Sequence, residues 1–269
     1  MDIKDILMIS LSVPATLWAI YESYNVLGYV HDLKFKTPEC FQSNPNRIAL
    51  FVGTQIILAL IMGPIQAAAR SFFDKVVSTS KFHIGSQNRK IKVEILGERT
   101  YRLILYITWS AIGLWILNRS DFSHKYLFGT ESDPQYFKNY PCYTLPSYTE
   151  EFYIVKFAYH FFESLNAVIL HRKRFDFTEN LLHHIVTIVM VGYSYATNIF
   201  PIGIPIMLVM DLSDVFVSIF KLTVDVSDRI QAPVFFTMIF TWAYLRMWFF
   251  PVYLMKEIWV QSIATGHPV

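Results

Sequence analysis

Residues 48–69 read IALFVGTQIILALIMGPIQAAA, a run with no charged side chain. At about 1.5 Å per residue, a helix of that length crosses the roughly 30 Å hydrocarbon layer of a bilayer. The stretch therefore predicts a transmembrane helix. Working outward, six more segments are apolar over comparable lengths: 6–21, 101–117, 152–170, 181–200, 202–222 and 233–257. The first contains Pro14, is flanked by Asp2 and Asp5, and lacks a clear small-residue cleavage site, so it reads as a retained helix rather than a signal peptide. Pro201, in the Asn198–Gly203 turn, blocks a continuous helix and predicts a helical hairpin from the fifth and sixth spans. The expectation is an all-α, polytopic membrane protein of about seven helices.

Composition agrees. The chain is 54% apolar, 17% aromatic and only 16% charged, against about 25% charged in soluble domains. That balance argues against a soluble enzyme, a disordered tail or a nucleic-acid binder. A net charge of +2 is too small to imply a polyanionic partner, and two cysteines are too few for a disulfide scaffold or a zinc ribbon.

Basic residues in the loops set the orientation, because they accumulate on the cytosolic side. With seven spans, thirteen Lys and Arg fall on the face of the N-terminus, including Arg70, Arg89, Arg172, Lys173 and Arg174, and seven on the other. The N-terminus is thus expected in the cytosol, or in the matrix of a mitochondrion. Cys40 and Cys142 share the opposite face, where an oxidising compartment permits a disulfide. Two unpaired loop cysteines are the alternative.

Ionisable groups inside spans are costly and mark candidate functional positions. Here they are Lys156, His160 and Glu163 in the fourth span, His183 and His184 at the start of the fifth, Asp211 and Asp214 in the sixth, and Arg246 in the seventh. Counted from the basic face, His184 lies roughly 6 Å deep, Glu163 and Asp214 about 10–12 Å, His160 near 15 Å, and Asp211 and Arg246 about 17–20 Å. The overlap predicts one polar pocket opening toward the basic loops. Asp211 and Asp214 are three apart and share a helix face, whereas the adjacent histidines point about 100° apart. Asp211 and Arg246, at similar depth, are expected to neutralise each other. A histidine held by a carboxylate suits general-base or nucleophilic chemistry; the same residues could instead only cap a helix and lock the bundle. Adjacent histidines chelate one ion poorly and no HxxxH is present, so no metal is assigned.

The stretch Lys173–Thr187, KRFDFTENLLHHIVT, resembles the Lag motif of ceramide synthases in the wider TLC-domain family, approximately R-x-D-x-x-E-x-x-x-H-H-x-x-T. Met210–Ser218, MDLSDVFVS, is similar to the family's downstream D-x-S-D element, with Met before the first Asp as in its fungal branch. Weaker similarities are Glu98–Arg102 to an E-S-x-W-R segment and Tyr244-Leu245-Arg246 to a late Y-L-R. Order and spacing agree over about 92–257, dividing the chain into a two-helix membrane region with a basic loop (1–91), a TLC-like helical domain (92–257) and a short tail (258–269).

The resemblance implies transfer of a fatty acyl group from acyl-CoA to a sphingoid base within a cavity ringed by six helices. His183 or His184 would activate the amine or carry the acyl group, with Asp211 and Asp214 orienting the histidines. Arg172, Lys173 and Arg174 would suit the CoA phosphates, and Glu163 and Arg246 would contact substrate. Acyl-CoA enters as co-substrate, and no bound cofactor is implied. The family pattern continues past Y-L-R to one more barrel helix; with the sequence ending at Val269, the expectation is an incomplete barrel, closed by an early helix or left open. Two functions remain from different classes. One is an endoplasmic-reticulum acyltransferase, whose partners are membrane lipids and its substrates. The other is a non-catalytic TLC-type subunit or lipid-binding element of a larger assembly, for example in the mitochondrial inner membrane, with proteins covering the open side. Neither includes nucleic acid.

Overall fold

The computed structural model describes residues 21–41, 44–77, 79, 81–123, 127, 134–170, 172, 177–224, 226 and 228–267. Most of the predicted first span, 6–21, lies outside the described residues. All regular structure among the described residues is helical. Residues 21–36 form α1. They are followed by α2 (Arg47–Val76), α3 (Gln87–Leu117), α4 (Thr149–Leu170), α5 (Phe177–Ala196), α6 (Phe200–Thr223) and α7 (Asp228–Trp242). A π-helix (Ala243–Met255) leads directly into α8 (Lys256–Thr265). Three helices, α2, α3 and α6, are long and apolar enough to span a membrane by length and hydropathy alone. The chain is an all-helical membrane protein.

Burial is inverted relative to a water-soluble bundle. Ile48, Val52, Ile56 and Leu60 recur every four residues along one face of α2 and are all exposed, as are Leu182, Ile185 and Val189 on α5 and Phe236 and Phe240 on α7. Lys156 and Asp211, by contrast, are 1% and 5% exposed. Only a hydrocarbon solvent makes that exchange favourable, since water would reward the opposite arrangement.

α6 packs on α3, α5, α7 and the π-helix, while α2 packs on both α3 and α4. An early helix therefore docks on the bundle. The main core joins Tyr101, Leu105 and Trp109 of α3 to Phe152, Tyr153 and Tyr159 of α4, Ile204 and Leu208 of α6, and Leu245 and Phe249 of the π-helix. Gly203 is required where α6 meets α4, because a Cβ there would lie 1.7 Å from the Tyr153 hydroxyl, which is 2.9 Å from Ser194 Oγ.

The predicted hairpin forms. α5 ends at Ala196 and α6 opens at Phe200, with Pro201 in its first turn, where a missing N–H costs nothing. Asn198, at φ 60°, donates from Nδ2 to the carbonyls of Cys40 (3.1 Å) and Pro141 (2.6 Å). Cys40 and Cys142 are disulfide-bonded, resolving the alternatives left by the sequence. The bond ties the α1–α2 connection to the α3–α4 loop on the face opposite the basic loops.

At the basic end, Arg89 is buried rather than a free loop cation. It binds the Asp74 side chain (2.9 Å) and backbone carbonyl, and the carbonyls of Val77 (3.2 Å) and Phe82 (3.1 Å). The region expected as a short tail is helical through Thr265, with Ile258 and Ser262 buried. Leu254 and Ile258 join Tyr136 and Phe137 of the α3–α4 loop in the core, and Gln261 bonds the Tyr136 N–H (3.0 Å) and the Pro134 carbonyl (2.6 Å).

Candidate functional site

Spacings of four and three put Lys156, His160 and Glu163 on one face of α4, and all three are buried. Lys156 Nζ donates to both oxygens of Asp211, at 2.8 and 2.7 Å. The Nζ also lies 5.4 Å from the Tyr159 ring centroid and 5.9 Å from that of Trp109, within cation–π range.

Arg246 takes a different partner. Its Nη2 donates to Asp214 Oδ1 (2.7 Å) and to the Met210 carbonyl (3.2 Å), and its Nε donates to Ser213 Oγ (2.6 Å). The expected Asp211–Arg246 pair is thus replaced by two pairs. Residues three apart on an α-helix still diverge by about 60° around the axis, enough to send Asp211 toward α4 and Asp214 toward the π-helix. A third cation, Arg102, bonds Glu98 (2.9 Å) and lies 3.4 Å from Glu163. Three cations and four carboxylates therefore neutralise one another almost completely inside the bundle, which tolerates charge only in pairs.

The histidines stand apart from these pairs. His184 is buried, with its ring centroid 6.0 Å from that of His160 and 5.5 Å from that of His183. His183 is exposed on the side of the bundle where Asp214 and Arg246 are each about a quarter exposed. The adjacent residues face different surroundings, as a 100° step requires. His183 is within electrostatic reach of Asp214, and His184 of Arg102. Among the described residues neither aspartate hydrogen-bonds a histidine; their oxygens engage cations instead. The Nδ1 atoms of His160 and His184 are buried with no hydrogen-bond partner among the described residues. No group of three or more His, Cys, Asp or Glu among the described residues is placed to hold a metal.

Arg172 is exposed just beyond α4; Lys173 and Arg174 lie outside the described residues. A cavity of about 410 Å³ lies at the other end of the bundle, lined in part by Lys34, Cys40, Arg47, Cys142, Glu150 and Tyr195. None of the motif residues lines it. The intramembrane charges lie away from this cavity. Lys156, His160 and Arg102 lie against the motif residues of this candidate site, at Asp211, His184 and Glu163 respectively. Their signal was the inward i, i+4, i+7 spacing on α4 and an arginine four residues after Glu98.

The TLC domain family profile matches residues 96–268. Among curated proteins, the chain is 28% identical to ASC1-like protein 3 of Oryza sativa subsp. japonica, over 73% of this chain and 71% of that relative. It is 26% identical to the sphingosine N-acyltransferase lac1 of Schizosaccharomyces pombe, over 58% of this chain and 39% of the relative. It is 32% identical to the ceramide synthase LAG1 of Saccharomyces cerevisiae, over 55% of this chain and 35% of the relative. The matches thus span well under half of either yeast protein.

Proposed function

We propose, proceeding from the fact that this chain belongs to the TLC domain family, that it is a ceramide synthase-like N-acyltransferase moving a fatty acyl group from acyl-CoA to a sphingoid base. The relatives named as ceramide synthase and sphingosine N-acyltransferase support that class of reaction. The observation that carries it here is the pairing inside the bundle. Asp211 and Asp214 are each paired with a cation, yet the buried Nδ1 of His184 keeps no hydrogen-bond partner among the described residues. A buried imidazole nitrogen without a partner stays available to a substrate, which supports a reactive role.

His183 and His184 supply the reactive imidazoles. One activates the amine or takes the acyl group, splitting a difficult aminolysis into two steps. Arg246, held by Asp214, Ser213 and the Met210 carbonyl, presents a fixed positive charge beside the exposed His183, suited to the oxyanion that forms at the thioester carbonyl. Glu163 holds Arg102 close to His184. The exposed Arg172, with Lys173 and Arg174 next in sequence, would meet the CoA phosphates on the basic face. That face is cytosolic, where acyl-CoA is made, and the disulfide then faces the lumen of the endoplasmic reticulum.

The test is turnover by the protein reconstituted in nanodiscs with palmitoyl-CoA and sphinganine. Ceramide should form, and His183→Ala, His184→Ala or Asp211→Ala should each reduce it by at least about 100-fold. Absence of product from the wild type would overturn the reading. Recovery of the inactive chain in a large complex of fixed stoichiometry would favour the accessory-subunit alternative.

A further inference from the structure

His160 belongs to neither family motif and to none of the ion pairs, yet it is 9% exposed at mid-depth in the bundle. Its ring packs edge-on against Tyr159 at 5.0 Å and faces His184 at 6.0 Å. Both residues bury an Nδ1 without a hydrogen-bond partner among the described residues. Two unsatisfied ring nitrogens on facing helices, α4 and α5, are an unusual pairing, since buried polar atoms are nearly always bonded. At this spacing the rings are not bonded to each other. Ring centroids 6.0 Å apart leave space for one small group between the two imidazoles, and two hydrogen bonds of about 2.9 Å meeting at a tetrahedral nitrogen need acceptors roughly 4.7 Å apart.

The group must be small and polar, because both ring nitrogens are buried and each lacks a hydrogen-bond partner among the described residues. It must also arrive on an otherwise apolar molecule, because the site lies within the membrane. A primary amine on a long-chain lipid meets both requirements. Its nitrogen carries two hydrogens and a lone pair, so it can donate to two imidazoles and still attack an electrophile.

We infer that His160 is a third histidine of the site, binding the acceptor amine jointly with His184 and taking its proton during acyl transfer. This role rests on the acyltransferase reading above. As the amine nitrogen attacks the thioester carbonyl, the C–N bond forms and the C–S bond breaks. The amine's proton passes to His160 Nδ1 and from there to the departing CoA thiolate, which leaves as the thiol. Lys156, one turn before His160 on α4, is occupied by Asp211 and is not the base.

The experiment compares the wild type with His160→Phe and His160→Asn in nanodiscs, varying sphinganine and palmitoyl-CoA separately. His160→Phe keeps a ring against Tyr159 but carries no nitrogen. It should lower kcat/KM for sphinganine by at least about 100-fold, while KM for palmitoyl-CoA stays within twofold. His160→Asn, whose amide oxygen can accept a hydrogen bond from the amine but takes no proton, should bring KM for sphinganine back toward the wild-type value while kcat stays low. A His160→Phe enzyme with wild-type kcat/KM for sphinganine would overturn the assignment. So would an Asn variant no better than Phe in KM for sphinganine, or a defect that appears equally in both substrates. Should the Phe variant not fold, as judged by size-exclusion chromatography, the Asn variant decides: a lowered kcat with near wild-type KM for both substrates supports the role, and wild-type kcat/KM for sphinganine or a loss confined to palmitoyl-CoA refutes it. A wild type that forms no amide rejects the acyltransferase reading itself, whereas an active wild type with an indifferent His160 rejects only this role.

Discussion

Lys156, not Arg246, is the cation that neutralises Asp211: its Nζ sits 2.7 and 2.8 Å from the two carboxylate oxygens, with both side chains almost wholly buried. The pair joins α4 to α6 in the layer that holds the histidines. Removing either partner leaves the other charged in a medium that cannot solvate it.

That dependence has a double-mutant signature. Lys156→Met or Asp211→Asn alone should destabilise the protein by about 3–5 kcal/mol, and the combined variant by clearly less than the sum. Thermal midpoints in detergent, read by intrinsic tryptophan fluorescence, close the cycle. Additive losses would show that the pair is not energetically coupled. Activity separates a further contribution: the double variant should fold yet stay impaired, because Asp211 also belongs to the motif layer.

The disulfide gives a sidedness test. Cys40 and Cys142 are 102 residues apart in sequence with Cα atoms 4.7 Å apart. In sealed microsomes, a membrane-impermeant maleimide should label neither cysteine until reduction and opening of the lumenal side. The Cys40→Ser/Cys142→Ser variant should lose about 2–4 kcal/mol of stability. Labelling from the cytosolic side of intact vesicles would reverse the assigned orientation.

A pH effect is expected at the same face, from His267. Its Nδ1 is 2.9 Å from the Tyr29 hydroxyl, and its ring stacks on Phe137 and meets Tyr140 edge-on. Partial burial holds its pKa below the usual histidine value. The unfolded chain therefore takes up a proton as pH falls through about 6.5 while the folded chain resists it, so stability declines on acidification. His267→Asn should flatten the fall in thermal midpoint between pH 7.5 and 5.5. Equal slopes in the two proteins would remove His267 as the cause.

Much of the candidate site was legible in the sequence because intramembrane charges are conspicuous. His183, His184, Asp211, Asp214, Glu163 and Arg246 each stand out against an apolar background, and their depths follow from helical rise. His160 and Lys156 were equally visible as costly residues, but no motif distinguished them. Their importance comes from what lies opposite them on α5 and α6, which no spacing along α4 encodes.

The sequence by itself determined the solvent, the helical class, the α5–α6 hairpin at Pro201, the shared face of the two cysteines and the family, since hydropathy and motif spacing are local properties of a chain. Only the tertiary structure decided that Asp211 meets Lys156, that Arg246 meets Asp214, that the cysteines join, and that His160 faces His184. Those outcomes depend on how each helix is rotated about its axis and slid past its neighbours. A turn of about 60° between Asp211 and Asp214 was enough to give them different partners.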